Sequence, residues 1–548
     1  MSNIKNIICT RTYYVVRVFP FLDSTQEDPV TDVNNLSTEP FTICEEIIDM
    51  KISKMVNSID QQYSFSLLPM KDYFFDAKYR IKPGDWLVIY KTSTGGYSDP
   101  AMKPLEERIV VEIEGKPQEL TVFKRGFGQV ERAEPDWFKT EDADSQTFFV
   151  SGRLFGKIFT DNLIFFHQFN QGLFRMGKLF KFIDIQAGRM SEILTKLLSY
   201  TMSSNQLIAP ASLTREKAFP IQNNPLQDVN RNNILDVSVN GYNGRIIYDY
   251  VKVDFNDSQA ETFLDIHIVK DGTAEQYIEQ FSDRIRNEVY GELIYDNETK
   301  RLVPTLRIRE KPFTIKEIWQ KDELGLKKSK DLDRNYFEDL FTYQIDWHTG
   351  LVQRFKVGRS CHEAFNYFLT FPKLMSINDV FARLKNLKFQ ETDTYRRKTQ
   401  VKMAKFGLKV KEGSTIYDGY SQDGNESSNL EDIIDEYTRL NYHWYSDMDT
   451  KYSGVVSGYF PNFIRVGNRL RLINVPIRTN EGVKKVAFEG YINGINDNFQ
   501  PGSPMVELLI VYGRFLDQSG LPLTQSLQAT PSTIQPRDSQ APRSPEFN

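Results

Sequence analysis

Histidines, cysteines, an Asn-rich acidic loop and two aromatic clusters are the features of this sequence that could do chemistry. A zinc site needs three or four converging ligands. His167, His267, His348, His362 and His443 are scattered, with no HxxxH, HxH or HExxH spacing. Five unrelated surface or interface histidines is the simpler reading. Cys9, Cys44 and Cys361 lie far apart and are odd in number. They build no disulfide framework or CxxC knuckle, which suits synthesis in a reducing cytoplasm. Cys361 and His362 are sequence neighbours, whereas a nucleophile and its base usually meet through the fold. Asp228, Asn230 and Asn232 place side-chain oxygens as a calcium loop does. Asn233 stands where the sharp turn needs Gly, and Val239 where a bidentate Glu is required, so a plain loop is expected. There is no GxxxxGK[ST], no GxSxG and no GxGxxG after a strand. Among 73 Asp and Glu, no pair is singled out as a glycosidase acid and base. No catalytic, cofactor-binding or metal-ligating residue is therefore expected, and the chain is read as non-enzymatic. Tyr367, Phe368 and Phe371, and Tyr442, Trp444 and Tyr445, have the chemistry to stack bases or sugars. They are read instead as core or interface filling.

The elements that would hold these residues are mostly strands. Tyr13–Phe21 is dense in β-branched and aromatic residues. Tyr63–Met70 partly alternates, as a half-buried strand does. Ile81–Tyr90 is a Pro83-Gly84-Asp85 turn feeding an apolar strand. Phe148–Ile158 reads as a strand pair bent at glycines. Residues 93–147 are polar and acidic and read as a long surface insertion. Met190, Ile193, Leu194, Leu197 and Leu198 form one helical stripe, and 202–232 is a loop or boundary. A helix is expected over Thr273–Ile285, with Thr273 and Gln276 at capping-box spacing. A hairpin follows, out through Glu292–Tyr295, turning at Asp296-Asn297 and back through Thr305–Arg309. Residues 346–440 read as more helical, with basic Arg396, Arg397, Lys398 and Lys402. Strict β patterning returns over 451–514, with turns at Gly467-Asn468, Asn493-Gly494 and Pro501-Gly502. Arg469, Leu470, Arg471 and Leu472 alternate, one face for a core and the other for water or a neighbouring subunit. The Ser/Pro/Gln-rich stretch 516–548 is expected to be disordered.

At 548 residues the chain exceeds one ordinary core, so two to four domains are expected. Its 40% hydrophobic and 13% aromatic content excludes wholesale disorder. The net charge is -5 and the pI about 5.8, which argues against a protein that grips nucleic acid by neutralising phosphates. No stretch of eighteen or more apolar residues offers a membrane span. The first residues lack a continuous apolar run and a small-residue cleavage site, so no secretory leader is expected.

Several segments, in one order, resemble the tail-hub or baseplate-hub proteins of long-tailed bacteriophages, relatives of the hubs of contractile injection systems. Tyr63–Leu67, Ile81–Tyr90 and Gly156–Ile164 resemble that family's opening strands. Gly272–Phe313 is similar to its helix and hairpin, through Phe281, Asn287, Glu288, Tyr295, Asp296, Pro304, Leu306, Arg309, Pro312 and Phe313. Val357–Pro372 matches another motif at Gly358, Arg359, Ser360, Glu363, Asn366, Tyr367, Phe368 and Pro372. Lys405-Phe406-Gly407-Leu408 looks like a further step. Gly454–Arg514 resembles the closing barrel through Gly458, Pro461, Ile464, Arg465, Gly467, Arg469, Leu470, Leu472, Tyr491, Ile492, Gly494 and Gly513-Arg514.

The resemblance implies a β-rich α+β fold, with two tube-type β-barrel domains joined by an α/β middle region. The first barrel is expected in 1–205, carrying the 93–147 insertion. The middle region would span 206–440 and make trimer and spike contacts, and the second barrel 441–515. The family's role would make this a homotrimeric virion protein. It would adapt a sixfold tail tube or distal tail protein to a threefold spike or tip, adjoin a tape-measure protein, and let DNA pass as a transient passenger. Assembly would take place in the host cytoplasm. A tail-associated cell-wall or polysaccharide hydrolase is the enzymatic alternative. A glycan-binding receptor module using Trp444 is the other.

Overall fold

The computed structural model describes residues 2–4, 13–19, 41–76, 78–92, 106–139, 144–161, 163–164, 188–189, 234–235, 251–256, 263–264, 272–282, 287–296, 301–312, 340–360, 362, 364–372, 393–415, 437–438, 441–442, 444–460, 462–479, 482–500, 503–517 and 523. The 190–201 helix, the calcium-like loop, the Pro501-Gly502 turn and nearly all of the 516–548 tail lie outside these residues.

In chain order the first strands are β1 (Ser2–Ile4), β2 (Tyr14–Phe19), β3 (Phe41–Ile43), β4 (Ile47–Met55), β5 (Gln62–Leu67), β6 (Trp86–Thr92), β7 (Glu106–Ile113), β8 (Lys116–Lys139) and β9 (Asp144–Leu154). Helix α1 (Lys157–Asp161) follows, then β10 (Leu163–Ile164), β11 (Gly188–Arg189), β12 (Ile234–Leu235), β13 (Val251–Asn256), β14 (Phe263–Leu264) and β15 (Gly272–Thr273). Helix α2 (Ala274–Phe281) leads to β16 (Asn287–Asp296), β17 (Arg301–Glu310), β18 (Thr342–Asp346), β19 (Val352–Gly358) and β20 (Tyr367–Pro372). Helix α3 (Asp393–Phe406) precedes β21 (Val410–Thr415), β22 (Tyr452–Gly458), β23 (Arg469–Thr479), β24 (Gly482–Gln500) and β25 (Ser503–Leu516). The fold is β-rich and mostly antiparallel, with few helices among the described residues. No described helix is long and apolar enough to cross a membrane.

Fifteen strands form one continuous sheet. Its N-terminal module runs β4-β5-β9-β8-β6-β2-β3, with β7 hairpinned onto β8. Its C-terminal module joins β1, β18, β23, β24, β25, β22 and β19. The period-two reading of β5 holds, since Tyr63, Phe65 and Leu67 point inward while the serines between them are half-buried. Strand β6 is buried along its whole length, as expected for a strand covered on both faces. Two cores follow. One gathers Val16, Met50, Phe65, Ile89 and Val150, the other Ile345, Val456, Leu472, Phe488 and Ile510.

Several expectations change. The ladders among the described residues close neither module into a barrel, because β3 ends against β2 alone and β18 and β19 take different partners. Residues 106–139 are more than a surface insertion. Strand β8 pairs with both β6 and β9 and buries Val122, Phe127 and Val130. Phe148–Ile158 is one strand and the start of α1 rather than a strand pair. The stretch read as more helical supplies β19, β20 and β21 as well as α3, and β19 pairs into the C-terminal module. Asn493-Gly494 lies inside β24 and makes no hairpin turn. An Asn-Gly pair also serves a bulge, and here the β24–β25 register shifts between Ile492 and Gly494.

The modules are fused along this same strand. One edge of β24 pairs with β25, and the other changes partner along its length. From Gly482 to Tyr491 that edge holds β23, and from Gly494 to Phe499 it holds β4. The gap is filled by Ile492 N–H to Asn468 O at 2.9 Å and Val56 N–H to Asn493 O at 2.8 Å. A Cβ on Gly494 would sit 2.9 Å from Leu509 Cδ1 and 3.2 Å from Lys54 O, so a side chain there would have to displace the leucine and crowd β4.

The middle hairpin forms as expected. Thr273 caps α2 with both capping-box bonds present, at 3.0 and 3.3 Å. Strands β16 and β17 pair from Asn287↔Glu310 to Asp296↔Arg301, and β17 pairs parallel with β13 in a four-stranded sheet.

Candidate functional site

Residues from distant stretches converge where the hairpin and the two modules meet. The ladder places Glu288 of β16 opposite Arg309 of β17. The guanidinium donates to Glu288 Oε1 and to Gly467 O, and to Tyr491 Oη at 3.2 Å. Tyr491 in turn donates to Glu288 Oε2 at 2.6 Å, and the Tyr290 ring lies 5.5 Å from the guanidinium. All five residues are buried. Gly467 has φ +75°, and a Cβ there would stand 2.5 Å from Tyr290 Oη and 2.8 Å from Arg309 Nη2. No other residue fits that turn without moving the network.

A second tie holds β16 to the N-terminal module. Lys54 Nζ pairs with Glu292 Oε1 at 2.7 Å, and Gln61 Nε2 donates to Gly291 O at 2.7 Å. Burial pushes the Glu292 carboxyl up, but Lys54 and Arg465 outweigh it and hold the group below the usual carboxylate range. Burial also lowers the Lys54 ammonium, more than Glu292 raises it.

The third tie crosses directly between the modules. Arg125 of β8 donates through Nε to Asp497 Oδ2 of β24 at 2.9 Å, and through Nη2 to the same oxygen. Its Nη1 reaches Asn462 O at 2.8 Å and Ile464 O at 3.1 Å. Asn462 Nδ2 returns to Thr92 O. Lys91 of β6 stands 3.9 Å from Asp497 Oδ1, outside hydrogen-bond range, with its ammonium 5.5 Å from the Tyr14 ring. Burial pushes Lys91 down to about 8, helped by Arg125 and opposed by Asp497. Burial would raise Asp497, yet Arg125 and Lys91 hold it below its ordinary value. Four cations, Lys54, Lys91, Arg125 and Arg309, and three carboxylates, Glu288, Glu292 and Asp497, are thus buried across the three ties. Their hydrogen bonds and charges are directed at one another, an arrangement that locks position rather than moves protons.

Further matches meet in pairs. Asn366 Nδ2 donates to Gly407 O at 2.6 Å and its Oδ1 accepts from Lys409 N–H at 3.0 Å. The FNYF and KFGL stretches therefore pack together. Glu489 accepts from Arg514 at 2.6 Å and lies 3.8 Å from Arg469. The polar face of the Arg469–Leu472 alternation thus carries a cross-strand charge ladder, not only water or a neighbour.

Of the aromatic clusters, Phe368 and Trp444 are buried, and Tyr367, Tyr442 and Tyr445 are half-buried. Phe368 is fully buried, edge-on to Tyr442 at 5.6 Å, and Phe365 meets Tyr445 at 5.8 Å. Trp444 is 6% exposed, packed edge-on against Tyr512 at 5.8 Å with Lys311 Nζ 4.5 Å from its ring. It has no open face for a sugar, so the platform imagined for it is corrected. His348 sits in a short turn and His362 is exposed; the other three histidines, Cys9 and Cys361 lie outside the described residues. Among the described residues no three His, Cys, Asp or Glu gather as metal ligands. A polar groove of about 490 Å³ crosses β4, β5, β9 and β24, lined by Lys51, Ser53, Ser64, Ser151, Arg153 and Asn496.

Lys54, Lys91, Arg125 and Asp497 were not singled out from the sequence. The available signal was charge placed inside apolar or alternating runs, as in Trp86–Thr92.

No family model matches the chain, and no curated protein matches it. Solved structures do. Its structural neighbours are phage tail proteins and VgrG. The 43 kDa tail protein of prophage MuSo2 from Shewanella oneidensis aligns at TM-score 0.38 and 8% identity, covering 86% of this chain and 94% of that one. A tail protein from Neisseria meningitidis MC58 aligns at TM-score 0.38 and 9% identity, covering 91% and 96%. The half-lidded PdpA-VgrG complex of Francisella aligns at TM-score 0.36 and 10% identity, covering 94% of this chain and 60% of that chain. At such scores no residue role is transferred.

Proposed function

We propose that this chain is a non-enzymatic structural hub of a phage-type tail or baseplate. The observation that carries the reading is the buried Glu288–Arg309–Gly467–Tyr491 network. All four residues lie in segments that resemble the tail-hub family, two in the middle hairpin and two in the closing stretch of the chain. In space they make one joint between the middle hairpin and the C-terminal module. A protein whose matched residues serve rigidity, with its β modules fused through one strand, suits a ring that must hold its shape under load.

On this reading three copies assemble, each offering two tube-type modules, the first within 1–205 and the second closing over 441–515, around a middle region in 206–440. Six modules then face a sixfold tail tube or distal tail protein, and the opposite end holds a threefold spike or tip. The hub sits in the virion tail after assembly in the host cytoplasm, next to the tape-measure protein. DNA passes through it without being held. The net charge of -5 fits a conduit, because each Lys or Arg contact to phosphate adds affinity and slows transit.

Light scattering after size exclusion, with negative-stain imaging of the same fraction, tests the proposal. The expected species has three times the 63.7 kDa chain mass and forms rings with a central channel. A monomer that hydrolyses cell-wall polymer or capsule, and loses that activity on one carboxylate substitution, would overturn it in favour of the hydrolase.

A further inference from the structure

Helix α3 leaves most of its described surface uncovered. Its fourteen residues hold five cations against one carboxylate, in a chain whose net charge is -5. Arg396, Arg397 and Lys405 are exposed, and beside them Val401 is 68% and Met403 37% exposed. Among the described residues its ion pairs are made by Lys402, to Asp447 at 3.2 Å and Asp449 at 3.0 Å. Its half-buried residues Thr399, Lys402 and Phe406 share one face, and Arg397, Val401 and Lys405 stand exposed on another, at i, i+4 and i+8.

The opposite chemistry stands on the β7–β8 hairpin. From Glu106 to Glu119 the hairpin carries five glutamates against Arg108 and Lys116. Glu112, Glu114 and Glu119 are exposed, and Val110 among them is 66% exposed. Among the described residues β7 is an edge strand, paired with β8 alone.

We propose that α3 of one copy docks on the β7–β8 hairpin of a second copy. Val401 covers Val110, while Arg397 and Lys405, one turn to either side of it on the same helical stripe, face Glu112 and Glu119, which flank Val110 on the hairpin. Two different surfaces meet, so the contact is heterologous: it gives a ring where the rotation per copy closes and an open filament where it does not, rather than a twofold dimer. Closure at three copies rests on the hub reading above. The exposed valines on the two faces, Val401 and Val110, favour a protein surface over a polyanion, which would be met by the cations alone.

The test uses the full chain and light scattering across a concentration series. Arg397→Glu with Lys405→Glu is expected to weaken self-association at least about tenfold, because like charges then face each other. Glu112→Lys with Glu119→Lys should do the same, and the four changes together should restore the wild-type mass. Circular dichroism checks that each variant folds. If a reversal variant does not fold, Val110→Cys with Val401→Cys decides, since docking predicts disulfide-linked species larger than one chain under oxidation. A wild-type trimer whose reversal variants all keep their mass, with no cross-link, overturns the docking and leaves the hub standing. A wild-type chain that stays monomeric at every concentration overturns both. Reversal variants of unchanged mass that lose binding to duplex DNA would assign α3 to a polyanion and also overturn the docking.

Discussion

Replacing Lys91 with Met should make the protein more stable near neutral pH, although it removes a residue from a buried charge cluster. Lys91 is 3% exposed, and its Nζ is 3.9 Å from Asp497 Oδ1. Asp497 already takes two donors from Arg125 on its other oxygen, so Lys91 is the weakly satisfied partner. Its ammonium is pushed from 10.5 down to about 8, mainly by burial, with Arg125 adding to the lowering and Asp497 opposing it. At ~1.4 kcal/mol per pH unit, holding the proton costs the fold about 3 kcal/mol. The sign follows from proton counting. Below about pH 8 folded and unfolded chains are both protonated at this site and the full cost is present. Between about 8 and 10.5 the unfolded chain binds more protons, so wild-type stability rises with pH; above that window the cost is gone.

Met fills nearly the same length without a charge, and Asp497 keeps both bonds from Arg125, so the change leaves no buried charge unpaired, which is what makes the loss of one partner costly. The assay is the urea midpoint of both proteins at a series of pH values, with the m-value checked for constancy. Lys91→Met is expected to lead by up to about 3 kcal/mol near neutral pH, the lead shrinking through the alkaline window. Titrations shared by both proteins cancel in the difference. A variant less stable than wild type near neutral pH, or a difference that ignores pH, would refute the reasoning and show Lys91 to be well satisfied.

Removing a properly paired partner should do the opposite. Arg309→Ala leaves Glu288 buried without its cation and should destabilise by about 3–5 kcal/mol, read from the same urea midpoints. Gly467→Ala puts a Cβ 2.5 Å from Tyr290 Oη at φ +75°, and a melting temperature well below wild type is expected from strain of at least ~1–3 kcal/mol. Asp497 and Glu292 are held below their ordinary values once burial is outweighed by their cations. The stability they supply is present above their unfolded values and should be lost as pH falls through the folded ones. An acid unfolding curve that Asp497→Asn leaves unaltered below about pH 4 would contradict this. Trp444→Ala should cost about 3–5 kcal/mol as a core deletion, and glycan arrays probed with wild-type protein should show no signal that this change removes.

What was legible in the sequence was local. The alternation in β5, the Thr273 cap and the β16–β17 hairpin each depend on residues within a few positions of one another, where periodicity and capping chemistry act. The joint was not legible, because its ladders and bonds link residues hundreds of positions apart, as Lys54 with Glu292 and Arg125 with Asp497. Nothing near Lys91 distinguishes a lysine at the end of an edge strand from one buried between β2 and β8. Asn493-Gly494 misled for the same reason, since the dipeptide serves a turn or a bulge equally well. Only the partner strand decides, and here the partner is β4, more than four hundred residues earlier in the chain. The residues that looked like motifs without any chemistry, Glu288, Arg309, Gly467 and Tyr491, are the ones for which single-position reasoning has least to say. Each is unremarkable alone, and their bonds exist only when all are in place. On the hub reading proposed above, residues of this kind are what a part that must hold its register requires, because each bond of the network fixes one sheet against another.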